Sequence, residues 1–404
     1  MRKPDKELNE SVKAPQNYLG VLIFLAGAVA LLILSLPEMT AEEWKYRFQN
    51  IIQHQPSSGG NGIFLFLDND QIAHIKSRDQ VKISQPIQSA AVEGILSLPG
   101  NNIALLGIDG FLRVFNESLQ CLWEVKTYLR NLKKPALAKS GLILALFDDY
   151  SIMAVTSGKG NIIWRKKYEN KILSYSVDNA LFVIEKNSSS NDFGNLHALD
   201  PNSGAPLWDY NRPVLNLPFY FSNGLVAFAD KWGYPGIFDQ KTGSKIYLHS
   251  NGGFRIGGNI DSTFFFLSRG GTLVESFSLN QKSFWSTVLQ APLVGIFGNE
   301  KKMHLLDKKM LRVFNLSNGK LIYEKHFGKV IDAVQEKNIL SIISQNSLIS
   351  GYFLTAFEIE NGKNIIFAYE DSKPWRPLIT DKNLFLFTNS GLMKSYTLAH
   401  RNSR

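Results

Sequence analysis

The feature that most constrains this chain is a repeat. Apolar, strand-like runs begin near Ile103, Leu142, Leu181, Leu225, Phe264, Met303, Ile339 and Leu384, at steps of 39, 39, 44, 39, 39, 36 and 45 residues. Each unit is an apolar strand, a polar turn, a second strand, another turn and an aromatic-rich strand. The runs are β-branched and aromatic, broken by Gly, Asn and Asp, and lack the 3.6-residue periodicity of a helical array. A period of about 40 residues built from short strands is the signature of β-propeller blades.

The second half of each unit carries the detail. One unit reads Leu196-His-Ala-Leu-Asp-Pro-Asn-Ser-Gly-Ala-Pro-Leu-Trp208, another Leu311-Arg-Val-Phe-Asn-Leu-Ser-Asn-Gly-Lys-Leu-Ile-Tyr323. The pattern is a β-hairpin: Asp or Asn bonds the turn backbone, Gly supplies a positive φ, and the next strand carries a large aromatic. This pattern, Ala-Leu-Asp followed by x-x-Ser/Thr-Gly-x-x-Leu-Trp, resembles the PQQ-type β-propeller repeat over about residues 63 to 399. The resemblance implies that Trp123, Trp164, Trp208, Tyr247, Trp285, Tyr323 and Phe367 dock each blade on its neighbour. Gly is missing from the units around Asn116 and Asn280.

Eight strand-pair signals run from Ile103 to Leu398, and the last is followed by no docking strand. The segment Ile63 to Ser84 has strand character and no partner before it. Closing the ring with N-terminal strand material completes the last blade and leaves no long free edge. The sequence thus predicts an all-β fold, an eight-bladed propeller of four-stranded blades, with seven blades as the alternative.

Ahead of the repeat, Leu19 to Leu36 is uncharged and spans about 27 Å as a helix, close to a bilayer core. It is long for a signal peptide and lacks a small-x-small cleavage site. Arg2, Lys3, Lys6 and Lys13 precede it, which favours an N-terminus inside. The expected organisation is a cytoplasmic tail at 1–17, a single transmembrane helix at 18–37, an amphipathic stretch and linker at 38–62 and the propeller at 63–404. Residues 41–52 are read as a short helix with Trp44, Phe48 and Ile51 or Ile52 on one face. The expected location is a bacterial inner membrane, with the propeller in the periplasm.

Composition limits the chemistry. A single cysteine, Cys121, excludes an intramolecular disulfide, a Cys-rich zinc site and a lipoprotein anchor near the apolar run. A net charge of +9 on 404 residues is mild and does not suggest nucleic-acid binding. No His-x-x-His or Gly-x-Ser-x-Gly motif occurs. The quinone-and-calcium pocket of the enzymes that share this repeat has no residue-by-residue counterpart here, so no cofactor, metal, small-molecule substrate or enzymatic activity is expected.

The chain also resembles the BamB-like branch of the repeat family, eight-bladed factors of outer-membrane β-barrel assembly. It implies a scaffold that presents or organises barrel precursors, with envelope or membrane-complex proteins as partners. A long insertion, Glu185 to Gly194, and an atypical segment, Asp230-Lys-Trp-Gly-Tyr-Pro-Gly236, supply a possible partner loop through Asn187, Asp192, Phe193, Trp232 and Tyr234. The alternatives are a small PQQ-dependent oxidoreductase and a structural or sensor subunit of a larger membrane complex.

Overall fold

The computed structural model describes residues 44–398, apart from 50–56, 60–61, 78, 88–91, 108, 127–134, 188–190, 280–283, 346–350, 375–376, 381–382 and 389–390. The expected tail and transmembrane helix at 1–37 lie outside the described residues. Among the described residues no helix is long and apolar enough to cross a membrane.

The described residues form nine four-stranded antiparallel sheets, one after another. Their strands are lettered A to D from the inside outwards, since the A strands of successive blades lie beside one another. Blade 1 is Ser57–Gly59, Gly62–Phe66, Ile72–Ser77 and Gln80–Ile83. Blade 2 is Val92–Leu98, Asn102–Gly107, Phe111–Phe115 and Cys121–Lys126. Blade 3 is Ala136–Leu137, Leu142–Leu146, Ser151–Thr156 and Ile162–Lys167. Blade 4 is Ile172–Val177, Leu181–Lys186, Phe193–Leu199 and Pro206–Leu215. Blade 5 is Tyr220–Ser222, Leu225–Ala229, Pro235–Asp239 and Lys245–Leu248. Blade 6 is Phe254–Ile260, Thr263–Ser268, Leu273–Ser278 and Phe284–Val288. Blade 7 is Leu293–Gly298, Lys302–Asp307, Met310–Asn315 and Leu321–His326. Blade 8 is Lys329–Glu336, Ile339–Gln345, Tyr352–Glu358 and Asn364–Glu370. Blade 9 takes Leu378–Ile379, Asn383–Phe387 and Leu392–Thr397 from the C-terminus and its D strand, Trp44–Arg47, from the N-terminal side.

The expected eight blades are therefore corrected to nine. Residues 63–84, read as strand material beside the last blade's closure, belong to a blade of their own, whose first strand, Ser57–Gly59, lies in the expected linker. The last blade is completed further upstream, where a helix was expected: Trp44 pairs with Ser395 and Arg47 with Leu392. The helical pattern of 41–52 rests on Trp44 and Phe48, four apart, but Tyr46 and Phe48 alternate at strand spacing. Both join the apolar cluster between blades 9 and 1. Aromatic residues favour a pleated edge, and packing overrides the helical reading.

Nine hydrophobic clusters hold the ring, one at each junction between successive blades. The last two close it: Ile379, Leu384 and Tyr396 of blade 9 pack on Ile343 and Leu354 of blade 8. Phe385, Phe387 and Met393, with Phe48 next to the closing strand, pack on Ile63, Leu65 and Ile75 of blade 1.

At five junctions an aromatic on strand D lies on the glycine of the next blade's C–D turn. Trp164 donates its indole N–H to the Pro201 carbonyl at 3.0 Å, and Trp123, Trp208 and Trp285 make the same bond to Ser157, Gln240 and Leu316. Gly204 has φ +69, and a Cβ there would meet the Trp164 ring at 2.8 Å. Gly160, Gly243 and Gly319 face Trp123, Trp208 and Trp285 in the same way, and Gly362 faces Tyr323. The turn glycine is thus set by the neighbouring blade's indole as well as by its own backbone. Blade 6 lacks it, and the preceding aromatic, Tyr247, stacks instead on Phe277 at 4.1 Å. Phe367 departs from the series. The residue at the docking position is Ile366, four after Gly362, which pairs with Ala356 and is fully buried between blades 8 and 9. Phe367 points to the other face and stacks on Phe353 of its own blade at 5.6 Å. A one-residue step along a strand reverses the face.

Two predictions follow from this packing. Gly204→Ala loses about 1–3 kcal/mol from backbone strain alone, whereas Gly158→Ala, with open space around its Cβ position, changes stability by less than about 0.5 kcal/mol; urea unfolding compares them. The second concerns His304, which is wholly buried beside Phe357. Burial, with Lys302 adding to it, lowers its pKa from 6.5 to about 4. The unfolded chain binds this proton and the folded chain does not. Stability from His304 is therefore complete above about pH 6.5 and is lost as pH falls towards 4, by roughly 3 kcal/mol in all. His304→Leu is expected to flatten that part of the stability–pH curve, leaving the smaller contribution of His74, whose pKa burial also lowers.

Candidate interaction surface

In an up-and-down blade the A–B and C–D turns share one end of the ring, and the B–C and D–A loops share the other. The second end carries a repeated polar device. In blades 2, 3 and 7 an aspartate of the B–C turn binds an arginine of its own blade: Asp109 with Arg113 at 2.7 Å, Asp149 with Arg165 at 2.8 Å and Asp307 with Arg312 at 2.9 Å. One carboxylate oxygen takes the arginine while the other accepts turn amides, as Asp307 Oδ1 does from Lys309 and Met310. A charged acceptor satisfied on both sides holds a tight turn in one geometry.

Blade 5 uses the device differently. Asp230 is buried and its Oδ1 accepts the backbone N–H of Trp232 and of Tyr234, both at 3.0 Å. Its arginine, Arg212, comes from blade 4 and reaches Oδ2 at 3.4 Å. Arg212 can do so because strand D of blade 4 is ten residues long, Pro206–Leu215, with an irregularity in register before Val214 pairs with Gly194. Val214 then bridges Asp230, and Lys231 donates its N–H to the Pro213 carbonyl. The far side is fixed as well: Gly253 donates to the Trp232 carbonyl and Phe254 to that of Gly233. A Cβ on Gly233 would meet the Gly253 backbone at 2.8 Å, so the two loops touch main chain to main chain.

The result is a rigid loop with an unusual crown. Trp232 is 52% exposed, although its backbone is bonded on both sides. The Lys231 ammonium lies 4.5 Å from the Trp232 ring centre and 5.6 Å from that of Phe193. Phe193 opens strand C of blade 4, and the loop before it is tied down by Asn216, whose N–H bonds the Asp192 carbonyl at 2.7 Å. The Asn187 side chain bonds Asn195 across the base of that loop. The structure thus brings Phe193 and Trp232 together through Lys231, with Asp192 beside Phe193. Tyr234 lies at the foot of the loop, against Gly252, and Asn187 at the base of the neighbouring one. Below them the Tyr210 hydroxyl is raised above its ordinary pKa, first by burial and then by the Asp230 carboxylate, against Arg212.

Asp230, Arg212, Lys231 and Gly253 were not singled out by sequence. Asp230 had a local signal, the aspartate two before an exposed residue in a turn. The Arg212 contact crosses between blades and has no such signal.

At the opposite end a hollow of about 330 Å³ lies among blades 6, 7 and 8, lined by Asn259, Asp261, Phe297, Asn299 and Gln335. Its amides serve the frame: Gln335 bonds both the N–H and the carbonyl of Gly298, and Asn299 caps the amides of Lys301 and Lys302.

No family model and no curated protein matches this sequence. Solved structures match in fold. BamB from Moraxella catarrhalis aligns with a TM-score of 0.51 at 12% identity over 89% of this chain and 99% of its own. The computationally designed Ika8 protein aligns with a TM-score of 0.55 at 13% identity, and Saccharomyces cerevisiae Sqt1 with 0.52 at 8%, each over 77% of this chain and 97% of its own. At these identities the likeness is one of fold: the chain is a β-propeller similar to that of BamB.

Proposed function

We propose that this protein is a non-catalytic scaffold that holds partner proteins on the loop end of blades 4 and 5, in envelope or outer-membrane protein assembly, with its propeller in the periplasm. The observation that carries the reading is Trp232, a half-exposed indole on a loop whose backbone is bonded from both sides. Large aromatics with little conformational freedom left to lose are the residues that dominate protein interfaces. The Lys231 ammonium, within cation–π range of both rings, adds a positive charge beside them. The fold likeness to BamB supports the scaffold class, and the envelope role is taken from that likeness.

Affinity purification of the full-length protein, with mass spectrometry of what it retains and an absorbance spectrum of the eluate, tests this. The native protein is expected to retain envelope-assembly proteins in stoichiometric amount with no chromophore. Trp232→Ala is expected to weaken that retention at least about tenfold while the unfolding midpoint stays unchanged. A lone protein carrying a quinone spectrum and bound calcium would replace the scaffold with an oxidoreductase.

A further inference from the structure

The outer strands of the nine blades are not alike. Each is the last strand of its sheet and turns one row of backbone N–H and C=O groups away from the blade. Such an edge invites pairing with another chain, and proteins blunt it with charged residues and β-bulges. Strands D of blades 1, 2, 3, 4, 5 and 7 carry both: each holds at least one Lys, Arg, Asp or Glu, and each pairs with strand C through a register shift. Blade 8 has the shift; its one charge, Glu370, is buried and bound to Lys394 and Tyr396 of blade 9. Blade 9 pairs without a shift, but its outer strand contains Lys45 and Arg47.

Blade 6 has neither protection. Phe284–Val288 reads Phe-Trp-Ser-Thr-Val, with no charge. It pairs with Leu273–Ser278 in unbroken register, from Phe277 with Phe284 to Leu273 with Val288. Blade 2 also lacks the turn glycine but keeps a register shift at its C–D hairpin, so the unbroken ladder of blade 6 does not follow from the missing glycine. Val288 is 75% exposed, the most exposed large apolar residue among those described, and Ser286 is exposed beside it.

We infer that the outer edge of blade 6 is a second binding surface, one that takes an extended, uncharged segment of a partner protein as an added antiparallel β-strand. Strand addition draws affinity from main-chain hydrogen bonds and selectivity from alternate side chains. Here those side chains favour a β-branched or aromatic residue against Val288 and small hydroxyl residues along Ser286 and Thr287. Size favours a peptide over a second copy of this chain. Five residues a side fall far short of the roughly 20–30 that a stable protein–protein interface uses, whereas a peptide needs only the strand. The biological meaning rests on the scaffold reading, but the test does not use Trp232, so the two can fail separately.

The test uses the full-length protein and a synthetic peptide, a capped seven-residue alternation of Thr and Val, with a copy N-methylated at every residue so that neither edge can donate. Hydrogen–deuterium exchange follows the amides of 284–288. The unmethylated peptide is expected to slow their exchange several-fold, and the methylated copy to leave it unchanged, because it cannot pair along its backbone. Val288→Lys is expected to weaken peptide binding at least tenfold, with the unfolding midpoint and the retention of partners that depends on Trp232 both preserved. Absence of protection at 284–288, or equal protection by both peptides, overturns the inference. So does a concentration-dependent dimer that Val288→Lys abolishes, since the edge would then belong to a second copy.

Discussion

A four-stranded blade has two apolar faces and can bury neither by itself. Every other property of this protein depends on that constraint. Each blade must find a neighbour on both sides, and only a closed ring gives every blade two. Nine junction clusters meet the requirement here. The closing one depends on a four-residue strand, Trp44–Arg47, laid along the last blade with Phe48 buried next to it. Since the strand comes from the N-terminal side and its partner from the C-terminal side, the ring is latched by the two ends of the domain. The same constraint places the variable parts: strands A to C are fixed by packing, which leaves the loops and outer edges to differ between blades.

Much of this architecture is legible in the sequence. The 39-residue period gives the blade, and the Asp-x-x-x-Gly turn followed by an aromatic gives the outer hairpin. The blade number was not legible, for a physical reason. Trp44 to Phe48 supports both a helical stripe and a strand, and local pattern cannot say which pairing a distant edge will select. The Phe367 assignment failed by one residue. Counting four from the turn glycine finds Ile366, but the search for an aromatic leads past it. The glycine itself is better understood from the structure, where Gly204 lies beneath the indole of Trp164. A glycine in one unit thus reports an aromatic in the unit before it, and blade 6, without the glycine, meets Tyr247 with the ring of Phe277.

The candidate surface was half legible. Insertions at 185–194 and 230–236 marked the two loops that the structure joins, and Trp232 and Phe193 were named from sequence. What joins them was hidden. Arg212 reaches from one blade to the aspartate of the next, and Lys231 lies between two rings from different blades. Contacts of this kind are made across the ring and leave no local pattern. The unguarded edge of blade 6 is the reverse case: its lack of charge can be read from five residues, but it means something only once those residues are known to be an outer strand.

The central claim is that the ring closes through the N-terminal strand on the ninth blade. Amine-reactive cross-linking of the native protein, read by mass spectrometry, tests it most directly, because Lys45 and Lys394 face each other across the closing pair. An intramolecular Lys45–Lys394 link, lost when the protein is unfolded before cross-linking, is the predicted result. Links from Lys45 to lysines of other blades without one to Lys394, while neighbouring-strand lysines elsewhere link normally, would contradict the closure and with it the count of nine.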